Sequence, residues 1–391
     1  MLTAESVYYK MIYKPREDSL LLKKYVSKYS KGLVLDIGTG SGILAVEAAK
    51  KAKKVVGVDI DEKAVKYCKK NAKNKKIRFV KSDLFKNVKG KFDFIVFNPP
   101  YLPEDKMDKD KALDGGKKGY EVIERFLVEV NEHLKPNGKV LLLFSSLTNK
   151  EKVEQFINRN LLESKLLEEK SFFFEKLYVY LLSKSNILKK LEKRFSNIRY
   201  LAKGHRGLLF TALYKKKKVT IKIKNPESEA VGRISNETDW LKKLNKARIG
   251  PKLLFKDKEY FAYNYIEGDF ILDFIRKAKK KEVIDIIKNV FGQMFVLDKL
   301  GVNKEEMHHP VKHVIIGKSL KVTLLDFERC HKSLKPKNVT QFVQFVSSSN
   351  VQDLLKKKRV KVSRSLIRKY AAKYKKERIK DNLNNILDCI E

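Results

Sequence analysis

At 391 residues the chain is too long for one ordinary hydrophobic core, and two domains with appendages are expected. Hydrophobic residues make up 43% and aromatic residues 10% of it, so a net charge of +40 does not exclude a packed interior. The charge instead favours phosphate-bearing partners such as RNA, the ribosome or nucleotides, although lysines spread along a whole chain give the same total in a Lys-rich proteome.

Cys68, Cys330 and Cys389 share no metal or disulfide spacing. The N-terminus has no apolar signal core, and no apolar run reaches the ~18 residues of a membrane span. A cytoplasmic protein without membrane contact is therefore expected.

In chain order, Pro15-Arg16-Glu17-Asp18-Ser19 precedes Leu20-Leu21-Leu22 and reads as an acid-started helix. Leu33–Ile37 is a short apolar strand running into Asp36-Ile37-Gly38-Thr39-Gly40-Ser41-Gly42, after which a helical pattern begins at Ile43. Strand, glycine turn and helix let a backbone approach a nucleotide-like ligand. The G-x-G-x-G spacing suits a cofactor without a pyrophosphate. Val55–Asp59 is a second strand ending in an acid, the place where a ribose diol is held. Ile77–Val80 leads to Asp83, placed to meet an adenine amino group. Each acid taken singly also reads as a helix cap or turn residue; four strand tips in order do not arise easily that way.

The fourth strand, Phe92–Phe97, ends in Asn98-Pro99-Pro100-Tyr101. Two prolines fix φ and remove two backbone donors, so the chain leaves the sheet in one extended conformation. The Asn98 side-chain carbonyl and the Pro99 backbone carbonyl are then held still as acceptors for a planar –NH2 group, with Tyr101 against its π-face. Such a grip suits alkylation of an amide or an aromatic amine, because rigid acceptors stabilise the positive charge growing on nitrogen. A plain strand-ending turn is the bland alternative.

This half, from about Tyr13 to Leu182, resembles the class I S-adenosylmethionine-dependent methyltransferases, and more narrowly the HemK-like branch that methylates a glutamine side chain. The resemblance rests on P-R-E-D-S, D-I-G-T-G-S-G, Asp59, Asp83, N-P-P-Y and the Asp114–Gly119 glycine-pair segment. Val140–Ser145 fits as the fifth strand and Ser171–Leu182 as the closing antiparallel strands. It implies Asp36, Gly38, Gly40, Gly42, Asp59 and Asp83 as cofactor contacts, and Asn98, Pro99 and Tyr101 as substrate contacts. It also implies N5-methylation of the glutamine in the Gly-Gly-Gln loop of a class I release factor, commonly with a small zinc-ribbon activator subunit. The residues themselves leave adenine N6 equally open. The Lys-rich stretch Glu104–Lys111 reads as a solvated loop, with a cover over the substrate channel as the sharper alternative.

Ser183–Ser196 is polar and basic and reads as a partly helical linker, with the boundary near Asn197. Beyond it, Gly204-His205-Arg206-Gly207 lies between β-type runs, and Lys218–Lys222 is an alternating strand with a lysine at its end. A glycine hairpin over a strand lysine is how kinases cover ATP phosphates. Glu237 is placed to pair with Lys222, Glu267-Gly268 stands at a hinge position, and Val322–Leu325 ends in Asp326-Phe327-Glu328 where D-F-G is usual.

This half, roughly Arg199–Val346, resembles the small atypical kinases of the RIO type and a group of archaeal predicted Ser/Thr kinases, which implies ATP, with Mg2+ on Asp326. It departs at the catalytic loop. Asn303–His313 carries no Asp with a following Asn at kinase spacing, leaving Glu306 as a substitute base and His313 in the place of the metal-binding Asn. A pseudokinase and a slow ATPase are rivals, and a zinc site on His308, His309, His313, Cys330 and His331 matches no standard spacing.

Past Phe345 the chain turns basic with helical spacing: a helical arm on RNA, or a C-terminal helix packed on the lobe with a solvated face. The expected architecture is a Rossmann-like α/β methyltransferase domain (1–183), a basic linker (184–196), an α+β kinase-like domain (197–350) and a basic helical tail (351–391). The expected function is glutamine methylation of a release factor, with a fused ATP module. An adenine N6 methyltransferase on RNA or DNA, and an RNA- or ribosome-docking scaffold, are the alternatives.

Overall fold

A computed structural model describes residues 17–100, 116–172, 175–204, 207–224 and 233–391. The chain divides into two compact units, 1–199 and 200–391. In the first, helix α1 (Glu17–Tyr29) leads to β1 (Leu33–Ile37), α2 (Ile43–Ala49), β2 (Lys54–Asp59), α3 (Glu62–Asn71), β3 (Ile77–Lys81) and β4 (Phe92–Phe97). Then follow α4 (Glu121–His133), β5 (Leu134–Ser145), α5 (Lys150–Arg159), β6 (Leu162–Ser171), β7 (Lys176–Lys184) and α6 (Asn186–Glu192).

The strands form one seven-stranded sheet in the order β3-β2-β1-β4-β5-β7-β6. The first five run parallel, and β7 joins β5 and β6 antiparallel. Chain order reverses between β1 and β4, and in open α/β sheets ligands bind at such a reversal, beyond the carboxyl ends of the strands. Alternation along the strands feeds two cores. Leu35, Ile37, Ile95, Phe97, Leu142 and Phe144 face one layer, while Val34, Phe94, Val96, Leu141 and Leu143 face the other. Burial on both faces is why these parallel strands read as unbroken apolar runs.

The closing strands differ from the sequence reading. The first of them, β6, lies earlier, at Leu162–Ser171, and most of its side chains face solvent. It is an edge strand, so it needs no apolar alternation and its charges protect an open edge. Residues 184–196, expected as a linker, are ordered structure. Lys184 is fully buried, bonding Glu192 at 2.6 Å and the Asn131 carbonyl at 2.8 Å, and Leu188 and Leu191 of α6 are buried.

A five-stranded antiparallel sheet, order β11-β12-β10-β9-β8, begins with β8 (Ser196–Lys203), which runs across the boundary into the second unit, and continues with β9 (Gly207–Tyr214), β10 (Lys217–Lys224), β11 (Leu253–Lys256) and β12 (Tyr260–Asn264). Helix α7 (Arg233–Leu244) lies between β10 and β11 in the chain. A mainly helical part follows: β13 (Asp269–Phe270), α8 (Ile271–Lys277), α9 (Lys280–Lys299), β14 (Val302–Asn303), β15 (Val314–Ile316), β16 (Val322–Leu324) and β17 (His331–Lys332). It ends in α10 (Asn338–Val346), α11 (Ser349–Lys357), α12 (Arg364–Lys376) and α13 (Lys380–Leu387).

The basic C-terminal stretch packs on the lobe, as one of its two readings had it, and is part of this unit's core. Val351, Leu355, Ile367, Tyr374 and Ile386 are buried in the same cluster as Phe291 and Met294 of α9. The Tyr374 hydroxyl donates to Asp298 at 3.0 Å. No helix among the described residues is long and apolar enough to cross a membrane.

Candidate functional site

Between β1 and α2 the chain turns through Gly38, Gly40 and Gly42, all at positive φ (65°, 48° and 80°), where a Cβ is strained. A Cβ on Gly38 would come within 3.7 Å of the Asn98 carbonyl oxygen, so the glycine turn and the Asn98-Pro99 exit of β4 face each other closely. Asp36 is 1% exposed; one carboxylate oxygen accepts from the Thr39 hydroxyl at 2.7 Å, and the other, Oδ1, is buried without a partner. Burial pushes this carboxyl up to about 7, against the pull of the Thr39 hydrogen bond and with a further push from Asp59. Asp59, at the tip of β2, accepts from Gly40 N and Asp61 N, both at 2.9 Å, and so ties the second strand to the glycine turn.

Asp83 stands after β3, where its carboxylate bonds Arg125 of α4 at 2.7 Å. The sequence reading placed Asp83 but missed Arg125, which looks like an ordinary exposed helix residue in the chain. A sulfonium cofactor carrying a ribose and a purine fits this donor set. One Asp36 oxygen is buried and unpartnered, Asp59 stands at the tip of the neighbouring strand, and the turn presents backbone without side chains.

Asn98 stands where β4 leaves the sheet. Its Nδ2 donates to Asp18 at 3.0 Å, and its Oδ1 is buried with no hydrogen-bond partner. A buried acceptor left unpaired is costly and marks a place prepared for a donor from outside. Pro99 is buried beside it. Tyr101, the Glu104–Lys111 loop, Pro15, Arg16 and the Asp114-Gly115 end of the glycine-pair segment lie outside the described residues.

A second polar cluster occupies the other unit. Gly204 N donates to the Gly207 carbonyl at 2.9 Å, and a Cβ on Gly207 would lie 2.8 Å from the Ile223 carbonyl and 3.4 Å from the Lys222 side chain. His205 and Arg206 lie outside the described residues. Lys222 bonds Glu237 of α7 at 2.6 Å and reaches Glu328 at 3.5 Å. Burial alone would lower Lys222, but Glu237 and Asp326 outweigh it and hold the ammonium charged. Burial likewise raises Asp326, yet Lys222, Lys304 and His313 together bring it below the ordinary carboxylate range.

One oxygen each of Glu237, Asp326 and Glu328 lie within 4.8 Å of one another, the single group of potential metal ligands found among the described residues. The histidines and Cys330 form no such group there. Glu306, at φ 71°, pairs with Arg329 and lies 3.4 Å from His313. The 1%-exposed Lys304, which the sequence reading overlooked, connects them. Its Nζ donates to the Asp326 backbone carbonyl at 2.6 Å and lies 3.5 Å from His313 Nδ1.

Comparison with known proteins bears on the first unit. The model of the methyltransferase small domain matches residues 16–174. A putative protein N5-glutamine methyltransferase of Methanocaldococcus jannaschii is 51% identical over 145 residues, covering 35% of this chain and 74% of that protein. The release factor glutamine methyltransferase of Koribacter versatilis is 38% identical over 125 residues, 28% of this chain; the chain spans only 45% of that relative's length. Among solved structures, the E. cuniculi Mtq2–Trm112 complex responsible for methylation of the eRF1 translation termination factor is 25% identical. It covers 45% of this chain and 99% of that one, with a TM-score of 0.38.

Proposed function

The chain belongs to the S-adenosylmethionine-dependent methyltransferases of the small-domain family that includes the protein N5-glutamine methyltransferases, and from that premise we propose that it methylates the side-chain nitrogen of a glutamine in a translation release factor, within the Gly-Gly-Gln loop. The observation that carries this reading is the buried Asn98 Oδ1 without a partner, on a residue whose backbone carbonyl faces the glycine turn at the reversal between β1 and β4. S-adenosylmethionine supplies an electrophilic methyl group.

An amide –NH2 donating to Asn98 Oδ1 and to the Pro99 carbonyl is held with its nitrogen lone pair free to attack. The amide nitrogen is a poor nucleophile because its lone pair is delocalised into the carbonyl. The two acceptors grip its hydrogens more tightly as positive charge develops on nitrogen. The methyl group would pass from the cofactor's sulfonium to this nitrogen, leaving a thioether, and the surplus N–H proton would pass to solvent. Asp36, Asp59, Asp83 and the glycine turn hold the cofactor in this scheme. A small zinc-ribbon activator belongs to it as a partner, as the resemblance to the glutamine-methylating branch implies.

Methyl-labelled cofactor incubated with the full chain and its release factor, with and without such an activator, tests this. Label is expected on the Gly-Gly-Gln glutamine. Asn98→Ala is expected to lose about 10²–10³ of the rate while cofactor affinity stays within about twofold. Label on RNA instead would turn the reading to adenine N6.

The Lys222–Glu237 ion pair, with Gly207 packed over the lysine and Asp326 close by, favours a second reading for the other unit: a kinase-like ATP module, with Lys222 on the phosphates and Asp326 on Mg2+. Glu306 is its candidate base. Mg-ATP is expected to raise the melting temperature of the full chain, and Asp326→Ala to remove that rise. A rise that survives in the variant would sink the reading.

A further inference from the structure

Asp18 is the second residue of α1, 80 residues upstream of Asn98, and is 4% exposed. Its two carboxylate oxygens are divided between two tasks. Oδ1 accepts from the Ser19 backbone N–H at 2.6 Å, and Oδ2 accepts from Asn98 Nδ2 at 3.0 Å. An ionised carboxylate only accepts, so the amide of Asn98 has a single orientation compatible with it: nitrogen toward Asp18, oxygen away. The oxygen so directed is the buried atom that has no partner. In the opposite orientation Asn98 would present a donor to the donors of an incoming –NH2 group, and its own oxygen would face a carboxylate.

We propose that Asp18 is a positioning residue for methyl transfer: it fixes which end of the Asn98 amide faces the substrate and strengthens that end as an acceptor. This rests on the glutamine methylation proposed above. Hydrogen bonds in a chain polarise one another, and a charged acceptor at one end strengthens the others. Electron density drawn from Asp18 through the Asn98 amide makes Oδ1 a better acceptor as positive charge grows on the substrate nitrogen. Asp18 thus acts at one remove, without touching substrate.

A bland role, as an acidic residue in the first turn of α1, predicts a different outcome. It would move stability and cofactor affinity, and it would not couple to Asn98.

The test uses the full chain, its release factor and labelled cofactor, comparing wild type, Asp18→Asn, Asn98→Ala and the double variant. Asp18→Asn removes the charge at constant volume and is expected to lower kcat about tenfold or more, with the cofactor Kd within about twofold of wild type. In the Asn98→Ala background, measured over long incubations, the same change is expected to cost nothing further, because its effect runs through the missing amide. Unchanged kcat in Asp18→Asn, losses that multiply in the double variant, or a loss that tracks cofactor affinity would each overturn the proposal. A wild-type chain that labels no glutamine would overturn the proposed function, and this inference with it. An active wild type with an equally active Asp18→Asn would overturn this inference alone.

Discussion

Asp36 shows how a single side chain couples the glycine turn to stability. Its carboxyl, pushed up by burial from 3.8 to about 7, keeps a proton in the folded chain that the unfolded chain has lost above about pH 4. The folded state therefore binds more protons in that window, and stability falls as pH rises from about 4 to 7, with the whole cost present above it. Asp36→Asn is expected to raise the melting temperature of cofactor-free protein at pH 8, by about 2–4 °C for each kcal/mol recovered. The gain should shrink toward pH 4, and a gain that is equal at every pH would refute this origin. At this scale the acids at the strand tips were legible, since strand ends are marked by turn residues. Arg125 and Lys304 were not: a buried lysine bonded to a backbone carbonyl looks in the sequence like any of the surface lysines around it.

Among the elements, the apolar strands were read within a few residues, because burial on both sheet faces leaves an unbroken hydrophobic run. Edge strand β6 escaped because its surroundings ask for no such run. The C-terminal helices are a case where composition and packing part ways. Their many lysines suggest a nucleic-acid arm, yet Ile367, Ala371, Tyr374, Leu383 and Ile386 form a buried stripe, and the basic residues lie largely on the faces that remain. Asp298 of α9 holds this part in place, accepting from Asn338 N at 3.0 Å, Asn338 Nδ2 at 2.6 Å and the Tyr374 hydroxyl at 3.0 Å. Tyr374→Phe removes one donor to a buried carboxylate and is expected to cost about 1.5–3 kcal/mol, toward the lower end because the Asn338 donors remain. Hydrogen exchange should quicken in α12 and α13 while the β9–β10 pair keeps its protection. Unaltered exchange in α12 would show that apolar packing alone retains the helix.

The whole molecule divides into two units with separate cores, and residues 186–192 before the boundary are helical. The paired Lys222 and Glu237 were anticipated from the order of the glycine hairpin, strand lysine and following helix. The region around Glu306 was not resolvable in the same way, because its register against a catalytic loop is set by a turn at positive φ and by buried Lys304. In the first unit, β1 and β4 lie side by side, with Ile37 opposite Phe97, so the glycine turn and Asn98 leave the sheet from the same rung. Sliding either strand by one residue would reverse every side chain on it and empty both cores. The span between the glycine turn and Asn98 is thus a ruler cut into the sheet, kept true by the same pairing that keeps the unit folded. Loops and outer helix faces can drift in sequence without resetting it.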